Sequence, residues 1–192
     1  AVFAAIVLLI RDEHQRFLEE RGGSAQPITI AQAQSLFPTA YSLYKEGRLL
    51  AVSDAEGNLL GRLLQTVPES DASIGFSGPT NTLVALAPDG KVAGVEILQS
   101  ADTPEHIDAV RADKIFLNSF NDRTWDELGA GVPVEGVSGA TLTSLSIAEG
   151  ITFRFGGVRP SYRFPEEITL GEAKSYWPEC KSVQSSGTHP GL

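Results

Sequence analysis

Residues 82–98, TLVALAPDGKVAGVEIL, constrain the fold more than any other stretch of the chain. Two arms rich in Val, Leu and Ile flank Pro88-Asp89-Gly90, and each turn residue has its own reason to be there. Proline presets the φ of a turn, aspartate can bond its own backbone two residues on, and glycine takes φ angles closed to other residues. The pattern predicts an antiparallel hairpin. A second hairpin is expected over residues 48–66, RLLAVSDAEGNLLGRLLQT, whose apolar arms meet at a polar turn over 54–58. Hairpins with an apolar face need a covering layer, and helical patterns elsewhere supply one. The expected fold class is therefore α+β, a twisted, mainly antiparallel sheet built from hairpins with helices packed on it. The two hairpins share a type of connection but no sequence, so no repeat architecture is implied.

The helices announce themselves by caps and period. Residues 29–40, TIAQAQSLFPTA, place Thr29 as an N-cap ahead of Ile30, Ala33, Leu36 and Phe37, and Pro38 stops the helix. Residues 103–120 carry Ile107, Val110, Ile115, Phe116, Leu117 and Phe120 and are read as one helix, with Thr103 as cap and Pro104 at the first position. Its acidic residues are read as a solvated face. A short helix or turn holds Trp125 and Leu128. Residues 132–157, VPVEGVSGATLTSLSIAEGITFRFGG, are read as a strand or loop, a glycine turn, and a helix ending at Gly156-Gly157. That helix is expected to start at the sheet's edge. A last helix is expected over residues 169–177, followed by a loose tail. Trp125, Trp177 and the phenylalanines are expected in the core, where aromatic burial contributes most.

The chain of 192 residues suits one well-filled core. Residues 1–10, AVFAAIVLLI, are uniformly apolar. A bilayer-spanning helix needs about 20 such residues, so this run is either the end of a transmembrane helix or a buried helix. The polar segment that follows, closed by Gly22-Gly23, favours the first reading. The expected organisation is an N-terminal anchor helix over residues 1–23, a domain over 28–160, and a C-terminal helix and tail over 161–192. A net charge of -9 repels nucleic-acid backbones, and no basic stripe offsets it. A single cysteine, Cys180, excludes an internal disulfide and any cysteine-built cluster. His14, His106 and His189 are scattered, so no metal site is expected. No nucleophile elbow or Walker loop is present.

One segment carries a chemical signal: Glu135-Gly136-Val137-Ser138-Gly139-Ala140-Thr141-Leu142-Thr143-Ser144. Ser138, Gly139 and Ala140 are small enough for a bulky anion to approach the backbone. Residues from Thr141 onward open a helix, whose unpaired N–H groups and dipole favour a phosphate. The hydroxyls of Thr143 and Ser144 lie within one turn of Thr141. An ordinary helix start uses the same residue types, so the segment alone leaves both readings open.

The run SGATLTS resembles the flavinylation site of FMN-binding domains of the NosR, NqrC and RnfG type. Similarity extends to the hairpin LVALAPDGKVAGVEIL and to SADTPEHID, where a Thr-Pro pair starts a helix after a strand; FSGPTNTLVAL is most similar to the NosR-like branch. The resemblance implies FMN held covalently by a phosphoester on Thr141, with Ser138, Gly139, Ala140, Thr143 and Ser144 near the phosphate. It also implies Asp102, Thr103 and Pro104 as lining of the ring's slot. His106 is either a proton donor to the flavin or a solvated first-turn residue. The implied function is a redox carrier rather than a stand-alone enzyme. It would be anchored in the inner membrane by its N-terminal helix, face the periplasm, be matured by a flavin transferase and serve a membrane redox complex. The family's pattern opens with Asp where this chain has Glu135, one methylene longer. A flavin-free structural or assembly subunit that keeps the fold is the alternative.

Overall fold

The structure, a computed structural model, describes residues 25–157, Leu170, Lys174 and residues 178–182. The expected anchor helix over 1–23 lies outside the described residues. So does the expected C-terminal helix apart from Leu170 and Lys174, both of which are helical. Contacts divide the chain into residues 1–160 and 161–192. Among the described residues of the second unit, the Cys180 thiol donates to the Ser182 carbonyl at 3.4 Å. Among the described residues no helix is long and apolar enough to cross a membrane.

The first unit is α+β. Five antiparallel strands lie side by side in chain order: β1 (Ser42–Glu46), β2 (Leu49–Ser53), β3 (Leu59–Gln65), β4 (Thr80–Leu86) and β5 (Val92–Ser100). Both expected hairpins form. In the first, Asp54 Oδ1 accepts the Asn58 N–H at 2.8 Å; in the second, Gly90 N–H donates to the Ala87 carbonyl at 2.9 Å. Strand β1 escaped the sequence reading for a physical reason. It is an edge strand exposed at every position but the half-buried Leu43, so it shows no apolar alternation.

Strand β4 is buried along its whole length, which requires cover on both faces. On one face Leu83 and Ala85 join Ala33, Ala40, Val52 and Leu63 in a core cluster, to which α1 (Ile30–Leu36) contributes. Thr29 caps that helix as expected, its Oγ1 accepting from Gln32 N while the Gln32 side chain accepts from Thr29 N at 2.9 Å. Alternation places Thr82 and Val84 on the opposite face, where α5 (Thr141–Arg154) packs against the strand.

Between β5 and α5 lie α2 (Pro104–Ala112), α3 (Lys114–Asn118) and α4 (Trp125–Ala130). The single helix expected over 103–120 is thus two. Ile107 and Phe116 are nine residues apart, about two and a half helical turns, so one continuous helix would aim them in opposite directions. Asp113 resolves the conflict by ending α2 and capping α3, its Oδ1 accepting the Phe116 N–H at 2.9 Å. Ile107, Val110, Phe116 and Leu117 are all buried as a result, whereas Ile115 is left 88% exposed. Thr103 occupies the cap position of α2 but makes no side-chain cap bond; Pro104 sits at the first turn. The aromatic expectation holds only in part. Phe116, Phe120 and Phe155 are buried, but Trp125, Phe76 and Phe153 are exposed. Trp125 lies against Phe155 with ring centroids 4.5 Å apart. Trp177 is outside the described residues.

Candidate functional site

The chain leaves edge strand β5 at Ser100 and turns into α2 through Asp102, which is only 6% exposed. Its carboxylate binds three segments together. Oδ1 accepts the backbone N–H groups of Ser77 and Thr103, each at 2.8 Å, and the Ser77 hydroxyl at 3.1 Å. Oδ2 accepts the Phe76 N–H at 2.9 Å and the Thr143 hydroxyl at 2.6 Å. Burial pushes this carboxyl up, but the Thr143 hydroxyl and the N–H groups of Ser77, Thr103 and Phe76 outweigh it and hold Asp102 below its ordinary range. It is a fixed anion at neutral pH. Gly75 is needed beside it, since a Cβ there would collide with Oδ2.

The helix α5 begins next to this anchor, beside the end of edge strand β5, as the sequence reading expects. Its first turn reaches Asp102 just past the end of β5, and its body packs on β4, the neighbour of the edge strand. Gly139, at φ +78°, turns the chain into the helix, and Ala140 N–H donates to the Val137 carbonyl at 2.9 Å. Ala140 is the cap residue and supplies no side-chain bond. The far end of α5 is held by Arg154, whose Nε donates to the Gln65 carbonyl at 2.8 Å and whose guanidinium pairs with Glu69 at 3.3 Å.

The hydroxyls of the motif divide into two sets. Thr143 and Ser144 are fully buried. Thr143 donates to Asp102, while Ser144 donates to the Thr141 carbonyl and accepts the Val137 N–H, both at 3.0 Å. Thr141 is exposed, and its Oγ1 makes one long bond, to the Val137 carbonyl at 3.3 Å. A Cβ on Gly136 would come within 2.6 Å of Thr141 Cγ2, so the absence of a side chain there lets Thr141 adopt this pose. Ser138 and Glu135 are exposed.

Thr141 opens onto a groove of about 240 Å³ whose lining also includes Gly139, Ala140, Leu142, Thr143, Phe76 and His106. Of the residues singled out in the sequence, Gly139, Ala140, Thr141 and Thr143 meet at this groove, and Asp102 stands behind it through Thr143. Ser138, Ser144, Thr103 and Pro104 are not among its lining residues. Thr103 Oγ1 lies 3.3 Å from Ser77 Oγ, and Pro104 is exposed on α2. Phe76 and Leu142 were not named as site residues, although Phe76 opens the run FSGPTNTLVAL and Leu142 lies within SGATLTS. His106 is not simply solvated. It is half-buried, meets Phe76 edge-on with centroids 4.9 Å apart, and its Nδ1 is shielded with no hydrogen-bond partner among the described residues.

An exposed hydroxyl, a helix start without a side-chain cap, a glycine that leaves open space, and a partly apolar groove suit a phosphate-bearing group with a flat ring. Among the described residues no group of His, Cys, Asp and Glu could hold a metal ion. No curated protein matches the chain. Residues 75–153, from the turn before Phe76 to the last turns of α5, match the family model of the FMN-binding domain, and the match supports FMN as cofactor and the chain as a flavoprotein.

Proposed function

We propose that the chain is an electron-transfer domain carrying FMN covalently, through a phosphoester on the Thr141 hydroxyl. The observation that carries this reading is the position of that hydroxyl. It is exposed at an uncapped helix start, within the segment matched by the FMN-binding domain, and opens onto the groove. The bond formed is Oγ1–P. The hydroxyl proton is lost, and an anhydride of FMN delivered by a flavin transferase is the phosphoryl donor, its second phosphate leaving. Among the described residues the bond forfeited is the 3.3 Å contact to Val137, which costs little.

When bound, FMN supplies the redox chemistry. The chain's own residues do the rest. The open N–H groups of the first turn of α5 face the phosphate end, with Ser138 and Gly139 leaving it room. Thr143 and Ser144 hold the helix start rigid, and Asp102 fixes that start against the loop 75–78. Thr103 and Pro104 set the direction in which α2 leaves this anchor. On the same reading the domain belongs to the NosR-like branch, faces the periplasm on an N-terminal inner-membrane anchor, and exchanges electrons with a membrane redox complex.

The test is intact-mass spectrometry of the denatured full chain after co-expression with a flavin transferase, with a peptide map across residues 138–144. The expected result is one added FMN on Thr141, wholly absent from Thr141→Ala, with little change in stability. An unmodified wild-type mass would instead make Glu135 the mark of a lost site and the chain a flavin-free structural subunit.

A further inference from the structure

We infer that Phe76, braced by His106, is the surface on which the flavin ring packs; this rests on Thr141 as the attachment site. Phe76 is 63% exposed, and exposure of one aromatic on a loose loop needs no explanation. This loop is not loose. Ile74 and Pro79 form a bridge, Gly75 N–H donates to the Gly78 carbonyl at 3.0 Å, and the N–H groups of Phe76 and Ser77 end on the Asp102 carboxylate at 2.9 and 2.8 Å. The same carboxylate receives the Thr143 hydroxyl, so one buried anion sets the spacing between the Phe76 loop and the first turn of α5.

The surroundings of Phe76 match the two characters of an isoalloxazine ring, which has flat apolar faces and an edge of carbonyl and N–H groups. Leu142, 41% exposed, adds apolar surface from α5. His106 meets Phe76 at an interplanar angle of 89° and carries a shielded Nδ1 with no hydrogen-bond partner among the described residues. A buried polar nitrogen without a partner is uncommon in a completed structure. A group tethered to Thr141 by a flexible chain is confined to this groove at high local concentration, which favours contact with these residues over distant ones.

The experiment uses the full chain matured with FMN and reads the flavin's visible circular dichroism and its fluorescence. Phe76→Ala should remove most of the induced dichroism while the FMN mass stays on Thr141. Phe76→Trp should quench the fluorescence several-fold, because an indole in van der Waals contact quenches a flavin. Ile115→Trp, at an exposed position outside the groove, should not. His106→Leu should shift the flavin carbonyl bands in the infrared, with His106→Asn restoring part of the shift. Unchanged dichroism in Phe76→Ala, or equal fluorescence in Phe76→Trp and Ile115→Trp, overturns the inference and leaves the attachment site standing. A wild-type chain that accepts no FMN overturns both.

Discussion

Two helix starts in this unit are built in opposite ways. At α4 the Thr124 side chain accepts from Glu127 N, and the Glu127 carboxylate returns to Thr124 N at 2.8 Å and to Thr124 Oγ1 at 3.0 Å. That reciprocal pair satisfies the orphan donors of the first turn. At α5 hydroxyls are plentiful, yet the cap position is Ala140 and no side chain caps the helix. The hydroxyls of Thr143 and Ser144 are engaged elsewhere, in fastening the helix start to Asp102 and to the Val137 loop. Counting polar side chains therefore does not identify a capped helix. The start that is richer in hydroxyls is the one whose N–H groups and dipole stay available to an anion.

The comparison breaks first at Asp102. If that carboxylate is what holds the open start in place, Asp102→Ala should cost about 3 kcal/mol, since it strands several N–H groups and a buried hydroxyl at once. Asp102→Asn, which keeps the size and one acceptor, should cost roughly half as much. The pH dependence has a definite sign. The folded carboxyl lies below its ordinary value, so it stabilises the fold at neutral pH. That stability is lost as pH falls below about 4 towards the lower folded value. Urea midpoints of wild type and Asp102→Asn should converge on going from about pH 7 to about pH 3. A constant gap would mean that the Asp102 carboxyl titrates alike in the folded and unfolded chains, so that its ionisation contributes nothing to stability.

A smaller effect sharpens the contrast at Thr141 itself. Gly136→Val places a branched side chain where even a Cβ falls 2.6 Å from Thr141 Cγ2. Overpacking of this kind costs about 1–2 kcal/mol, relieved by rotating Thr141 and carrying its hydroxyl away from the groove. FMN incorporation, followed as added mass over time, should slow well beyond what the stability loss explains. Incorporation at the wild-type rate would show that the pose of Thr141 is not set by Gly136.

How much of this was legible in the sequence depended on the range of the signal. Local chemistry read correctly: the Thr29 cap, both hairpin turns, and the helix opening at Thr141 follow from residues within a few positions of one another. Signals cancelled by context did not. Strand β1 is solvated and shows no alternation, and the apolar run over 107–120 hid a phase reversal that only the break at Asp113 accommodates. Ile115 looked like core and faces out. At the site, Thr141 and Gly139 stood out because their chemistry is contiguous. Phe76 did not, and His106 was left between two readings, because a fold-level event, the turn of β5 into α2 through Asp102, brings them to α5.

The smallest effect tests the other half of the comparison. Thr124→Ala removes the side chain that caps α4 and should cost about 1 kcal/mol. Glu127, whose carboxyl is held below its ordinary range first by the Thr124 N–H and then by the Thr124 hydroxyl, would keep only part of its contact. The helix α4 packs on α5, so a thermal shift of a few degrees is expected. Flavin content should not change, because on the proposed reading the phosphate sits at the uncapped start and the capped one contributes only stability. If Thr124→Ala lowered FMN content as much as Gly136→Val, the two helix starts would not be independent. The open start of α5 would then owe its shape to the closed start of α4 rather than to Asp102.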